Sequence, residues 1–239
     1  MFMLSIFYEL IRFIKDPYTS DYNYNAYSVK QKLALFGRLL FLNFIITIIA
    51  IVFLIIEKHI LNKFGIEIKN LPIDKGNYYE PLICIFAAPL LEELVFRLPL
   101  SFRKRDINIA YLVLIGAIII NLNIFDTDIK RRMISFSLLF LSTLPLYFLD
   151  KVQEKSLEKI KNNYGKYIVW GSIVFFSCAH ISNIDNFELK LLPVYLINLF
   201  PIFSFAMFAS FCRLKLGFLY GVLLHICNNL IPAFNSLLS

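Results

Sequence analysis

Apolar runs of about twenty residues dominate this chain, and that is the length a helix needs to cross the hydrocarbon core of a bilayer. Seven such segments stand at about 33-56, 80-102, 107-125, 133-149, 166-184, 189-212 and 215-233. The loops between them leave no room for a separate soluble domain. Of the 239 residues, 59% are apolar and 17% are charged, against about 25% charged in an average globular chain. That leaves too few polar residues to coat a soluble domain and too much apolarity for a disordered one. The expected class is all-α: a polytopic transmembrane helix bundle of about seven spans, with an N-terminal interfacial amphipathic helix.

The organisation reads as three parts. Residues 1-32 form the interfacial helix and a linker, 33-233 the transmembrane domain, and 234-239 a short C-terminal tail. In the first sixteen residues Ser5, Glu9, Arg12 and Asp16 recur at helical spacing, while Met1, Leu4, Phe7, Ile11 and Ile14 fall on other faces. Such a helix lies in the membrane interface. Its charges fall inside the apolar run and no small-residue cleavage site follows, which argues against a signal peptide. From Pro17 to Lys32 the chain is polar and rich in Tyr and Asn, as a linker is.

The net charge of +7 belongs to topology and not to nucleic acid, because no basic stretch interleaved with aromatics lies on a soluble surface. With the N-terminus inside, the inner regions hold fourteen Lys and Arg and the outer loops eight. Positive residues collect on the cytoplasmic side, so the N-terminus is expected in the cytoplasm and the C-terminus outside. Cys84, Cys178, Cys212 and Cys227 all lie in apolar runs and match neither a zinc spacing nor a disulfide framework.

Ionisable groups within spanning helices are costly, by about 2.5 kcal/mol or more at the centre, so the few that occur there are the functional candidates. Glu92, Glu93 and Arg97 lie in the second segment, His180 in the fifth, and His225, Asn228 and Asn229 in the seventh. At 1.5 Å per residue, Glu92 lies ~15 Å, His180 ~21 Å and His225 ~15 Å from the inner ends of their helices, with Asn229 ~6 Å beyond. One level near mid-bilayer therefore receives a carboxylate, two imidazoles and a carboxamide. Glu93 and Arg97, four apart, share a helix face and can neutralise each other. Glu92, about 140° round from Arg97, is left to face the other groups. Phe176 stands one turn before His180. Asn43, Asn121, Asn123 and Asn198 are milder polar cases, and the last three read as interhelical hydrogen-bonding residues.

A carboxylate deprived of water and set beside an imidazole suits a general base that activates water. A second histidine with an Asn amide supplies the donors that a tetrahedral oxyanion needs. Together they match peptide-bond hydrolysis inside a membrane. Two His and one Glu also form a ligand set used by catalytic zinc, although H-E-x-x-H is absent, as is the serine elbow G-x-S-x-G.

Three short motifs carry a resemblance. Glu92-Glu93-Leu94-Val95-Phe96-Arg97 reads E-E-x-x-x-R, Phe176-Ser177-Cys178-Ala179-His180 reads F-x-x-x-H, and His225-Ile226-Cys227-Asn228-Asn229 reads H-x-x-x-N. In this order and in apolar helices they resemble the CAAX-processing and bacteriocin-processing (CPBP, Abi) family of intramembrane proteases, over about residues 80-233. In many members the first two motifs lie on consecutive helices. Here Glu92 and His180 stand 88 positions apart with two more apolar segments between them. An even number of inserted spans preserves helix direction.

The resemblance implies that Glu92 and His180 activate the hydrolytic water and that His225 and Asn229 bind the oxyanion. Glu93, Arg97 and Phe176 would be supporting residues. It implies no cofactor on a glutamate mechanism, while zinc, held by Glu92, His180 and His225, stays open. The implied partners are a peptide or protein substrate at the membrane and the lipid bilayer. Two other classes are weighed: a non-catalytic immunity or peptide-binding protein of the same fold, and a proton-coupled transporter, for which internal repeats would be expected. The composition, rich in Ile, Lys, Asn and Phe, points to an AT-rich bacterial genome and so to a bacterial inner membrane.

Overall fold

The structure, a computed structural model, describes residues 2–18, 27–63, 83–121, 151–183 and 188–238. Among the described residues every regular element is helical. The α-helices are α1 (Phe2–Lys15), α2 (Val29–Lys63), α3 (Ala88–Phe96), α4 (Lys104–Asn121), α5 (Glu154–Ala179), α6 (Leu192–Asn198), α7 (Phe200–Leu216) and α8 (Phe218–Leu238). The fourth apolar segment and Asn123 lie outside the described residues.

α2 shows most plainly what kind of solvent the bundle is made for. Its middle is a run of Ile, Val, Phe and Leu without a charge from Phe41 to Ile56. β-branched residues are mediocre helix formers in water, but without water a backbone must satisfy its own hydrogen bonds, which a helix does. Its 35 residues span about 52 Å. Leu35, Leu39, Asn43 and Ala50 form its buried stripe, while Phe41, Phe44, Ile48, Ile49, Val52, Phe53, Ile55 and Ile56 point outward and exposed. An outward apolar surface of that extent calls for lipid. By length and apolarity α2 can cross a bilayer, and Leu189–Asn198 with Phe200–Leu216 makes one further candidate, bent by 46°. The bend falls at Leu199–Phe200–Pro201, where proline cannot continue a hydrogen-bond ladder.

α7 is the centre of the bundle and packs against α2, α5 and α8. It is apolar on all sides, as an enclosed helix should be. Its buried Ser204, Ala206, Ala209, Ser210 and Cys212 are small enough for neighbouring backbones to come close.

The second segment, expected as one span, is interrupted. A π-helical turn Ile83–Ala87 leads into α3, which stops at Phe96, and a 3-10 turn Leu98–Ser101 follows. Pro89 explains the first break. Lacking an N–H, it can donate neither to Ile85 in an α ladder nor to Cys84 in a π ladder. Pro99 and the left-handed Phe102 (φ 56°) close the segment.

The N-terminal helix also differs from expectation. It forms, but Ile6, Leu10 and Phe13 are buried in the common core. Phe13 meets Phe211 edge-on at 5.3 Å, and Glu9 pairs with Lys215 at 2.7 Å. Phe7, Ile11 and Ile14, from the set expected on its apolar side, are exposed. Both sides of the helix are apolar, and the side chosen by the core is the one that α7 can fill. The linker is not wholly free either. Tyr18 donates to the Leu100 carbonyl at 2.8 Å and stacks edge-on with Phe102.

Candidate active site

The site is built on the interrupted second segment. Helix α3 is short, so its last carbonyls need partners from outside. Ser172 of α5 donates to the Phe96 carbonyl at 2.6 Å and Arg213 of α7 to the Arg97 carbonyl at 3.3 Å. Asn229 of α8 donates through Nδ2 to the Cys84 carbonyl at 3.0 Å. That is the oxygen which Pro89 is unable to serve. Three different helices thus hold the broken segment in register.

On this segment Glu93 and Arg97 are both fully buried and form the expected pair, Nη1 to Oε1 at 3.2 Å. The Arg97 guanidinium also lies over the Phe176 ring, 3.7 Å from its centroid. A buried cation without directional hydrogen bonds is thereby held by one carboxylate and one aromatic face.

Glu93 does more than neutralise Arg97. Its Oε1 accepts from His225 Nδ1 at 3.0 Å. The other ring nitrogen, Nε2, faces Glu92 Oε2 at 3.6 Å. His225 therefore stands between two adjacent carboxylates, one at each nitrogen. Its ring is 3% exposed while the Glu92 side chain is 32% exposed, so Glu92 is the member of the cluster that solvent can reach. Glu92 was expected to face the other polar groups, and of these it meets His225. The histidine between the two acids was not foreseen.

His180 sits just past the end of α5, in a 3-10 turn. Its Nδ1–H donates to the Phe176 carbonyl at 2.9 Å, which leaves Nε2 as a lone-pair acceptor. Among the described residues it makes no polar contact with Glu92. Phe176 links it instead to His225, its ring centroid lying 4.7 Å from that of His180 and 5.8 Å from that of His225. Phe176 is thus the floor shared by both imidazoles and the guanidinium, which gives the F-x-x-x-H spacing a physical reason. The residues proposed for zinc, Glu92, His180 and His225, do not fit a metal ion: among the described residues no three of His, Cys, Asp and Glu come close enough to hold one.

Two contributors escaped the sequence reading. Phe205 of α7 packs on His225 with centroids 4.6 Å apart. Gly221, one turn before His225 on α8, lets the helices approach until a Cβ there would stand 3.3 Å from Glu93 Oε2. Its spacing from His225 was the available signal. Asn43 of α2 donates to Asn228 at 3.1 Å.

A helical bundle with an apolar exterior here encloses a buried carboxylate–imidazole cluster, and comparison with known families gives its class. Residues 76–231 match the Rce1-like family, described as Type II CAAX prenyl endopeptidase Rce1-like. The match covers well over half of the chain, and the chain belongs to this family of CAAX-processing proteases. All three motifs lie within it, whereas α1 and α2 precede it. No curated protein and no solved structure matches the chain.

Proposed function

We propose that the chain is an intramembrane endopeptidase of a bacterial inner membrane, with about seven spans and a cytoplasmic N-terminus, acting on a membrane-associated peptide or protein. One observation carries the reading: the continuous chain Glu92–His225–Glu93–Arg97, built from two helices far apart in sequence. A structural ion pair needs only its last two members.

In the proposed reaction Glu92 takes a proton from water as the water oxygen attacks the scissile carbonyl, with His180 Nε2 as a second acceptor that orients the water. Glu93 holds His225 through Nδ1. Glu92, once it holds the water proton, no longer competes for Nε2, and with both ring nitrogens carrying a proton Nε2–H donates to the oxyanion. Asn229 has spent one N–H on Cys84 and keeps the other for the same oxygen. Collapse breaks the C–N bond, and Glu92 returns its proton to the leaving amine. Every step uses this chain's own side chains.

The test is cleavage of a membrane-anchored fluorogenic peptide by purified protein. Loss of a general base costs about 10²–10⁴ in rate and loss of an oxyanion donor about 10²–10³, so Glu92→Gln and His225→Ala should fall by those factors while the fold, read by circular dichroism, survives. Undiminished cleavage by Glu92→Gln would reject the assignment.

A further inference from the structure

Between α2 and α8 lies a cavity of about 460 Å³ lined by Gly37, Leu40, Phe41, Phe44, Asn43, Cys227 and Asn228. It is not the catalytic cluster, but its Asn228 follows His225 by three residues on α8, the spacing of side chains that share a helix face. Its walls are apolar, and Phe41 and Phe44 stand exposed at its mouth. Its floor is polar. Asn43 Nδ2 donates to Asn228 Oδ1 at 3.1 Å. That bond fixes both carboxamides and leaves two ends, Asn43 Oδ1 and Asn228 Nδ2, without a hydrogen-bond partner among the described residues. One acceptor and one donor are thus offered side by side beneath apolar walls.

That pattern selects an occupant. A plain hydrocarbon chain would fill the walls but leave both carboxamide ends unpaired, which is unfavourable. A charged group would face apolar walls. An extended peptide residue flanked by apolar side chains satisfies all of it, because its own N–H and C=O point to the same side and meet Asn43 Oδ1 and Asn228 Nδ2. We infer that the α2–α8 cavity is a peptide subsite in which Asn43 and Asn228 bind the N–H and C=O of one extended residue of an apolar substrate segment. The inference rests on the peptidase reading for the identity of the peptide. Asn43 lies outside the stretch that matches the family, so this subsite would be a specificity element contributed by α2.

Cys227 lines the cavity and reports its occupancy without any cleavage. In a variant with Cys84 and Cys178 changed to Ala, the labelling rate of Cys227 by a small maleimide is measured in detergent. The probes are an acetylated tri-leucine amide, the same peptide with N-methylated backbone amides, and a fifteen-carbon isoprenoid alcohol. The plain peptide should slow labelling. The N-methylated peptide, which cannot donate, should need about tenfold more ligand for the same protection, a comparison that requires no further variant. Asn43→Leu should weaken protection by a similar factor. Gly37→Phe, at a position where an added Cβ meets nothing within 4 Å, should fill the cavity and abolish protection, with circular dichroism checking that the fold is kept. Equal protection by the N-methylated peptide, or better protection by the alcohol that Asn43→Leu leaves unchanged, would overturn the subsite. Protection without cleavage in wild type would instead sink the peptidase reading and leave a peptide-binding cavity standing.

Discussion

Arg97 is the residue on which the site's electrostatics turn. Its guanidinium is wholly enclosed, paired with Glu93 and stacked on Phe176. Removing one partner of a buried ion pair strands the other, at about 3–5 kcal/mol. Arg97→Leu should therefore destabilise strongly, and Glu93→Gln should too. The double variant should be far less destabilised than the sum, since neither charge remains uncompensated. Thermal unfolding in detergent gives the cycle, and strict additivity would contradict the coupling. Two glycines sharpen the same scale. Gly221→Ala would press its Cβ against Glu93 Oε2 at 3.3 Å, whereas Gly37→Ala meets nothing. The first should lower both stability and turnover. The second should be neutral or stabilising by about 0.5–1 kcal/mol, the usual gain for Ala over Gly in a helix.

Among the elements, the N-terminal segment has the clearest unexpected role. α1 plugs Ile6, Leu10 and Phe13 into the core, and Tyr18 then reaches the Leu100 carbonyl directly behind the catalytic segment. Gly165 of α5 makes space for that ring, since a Cβ there would stand 2.8 Å from Tyr18. Gly165→Ala should dislodge Tyr18 and lower stability by at least the about 1 kcal/mol of one hydrogen bond, with Tyr18→Phe as the milder comparison. Burial pushes the Tyr18 phenol above its ordinary range, with the Arg213 guanidinium opposing part of the rise. A group whose folded value is raised contributes stability below its unfolded pKa, near 10 for Tyr, and loses it as pH climbs through the folded value. Alkaline titration at 295 nm should show a phenol ionising above the usual tyrosine value near 10, and that late component should vanish in Tyr18→Phe and in Gly165→Ala.

At the scale of the whole molecule, much was legible because burying charge is expensive. Glu92, Glu93, Arg97, His180, His225 and Asn229 stood out in apolar runs, and the Glu93–Arg97 pair followed from helical spacing alone. Their pairing across helices did not follow, because one dimension carries no information on how α8 is rotated against α3. That rotation sets His225 between both acids and turns Asn229 toward Cys84. The interruption of the second span was readable in Pro89 and Pro99 but was subordinated to hydropathy. The inward side of α1 was not readable, since apolar residues occur on both its sides and α7 decides between them. Orientation belongs to this scale. Single cysteines placed at Lys155 and at Lys190 should be labelled by an impermeant reagent from opposite sides of the membrane, Lys155 from the cytoplasm. Labelling of both from one side would refute the N-in arrangement.

The central claim is that water, activated by Glu92 beside a Glu93-held His225, opens a peptide bond within the bilayer. Its most direct test is cleavage of a bilayer-anchored peptide in proteoliposomes made with ¹⁸O-water, with mass spectrometry of both fragments. Wild type should yield a new C-terminal carboxylate carrying one ¹⁸O, and Glu92→Gln should yield about 10²–10⁴-fold less of it. Labelled product formed at the wild-type rate by Glu92→Gln would contradict the account.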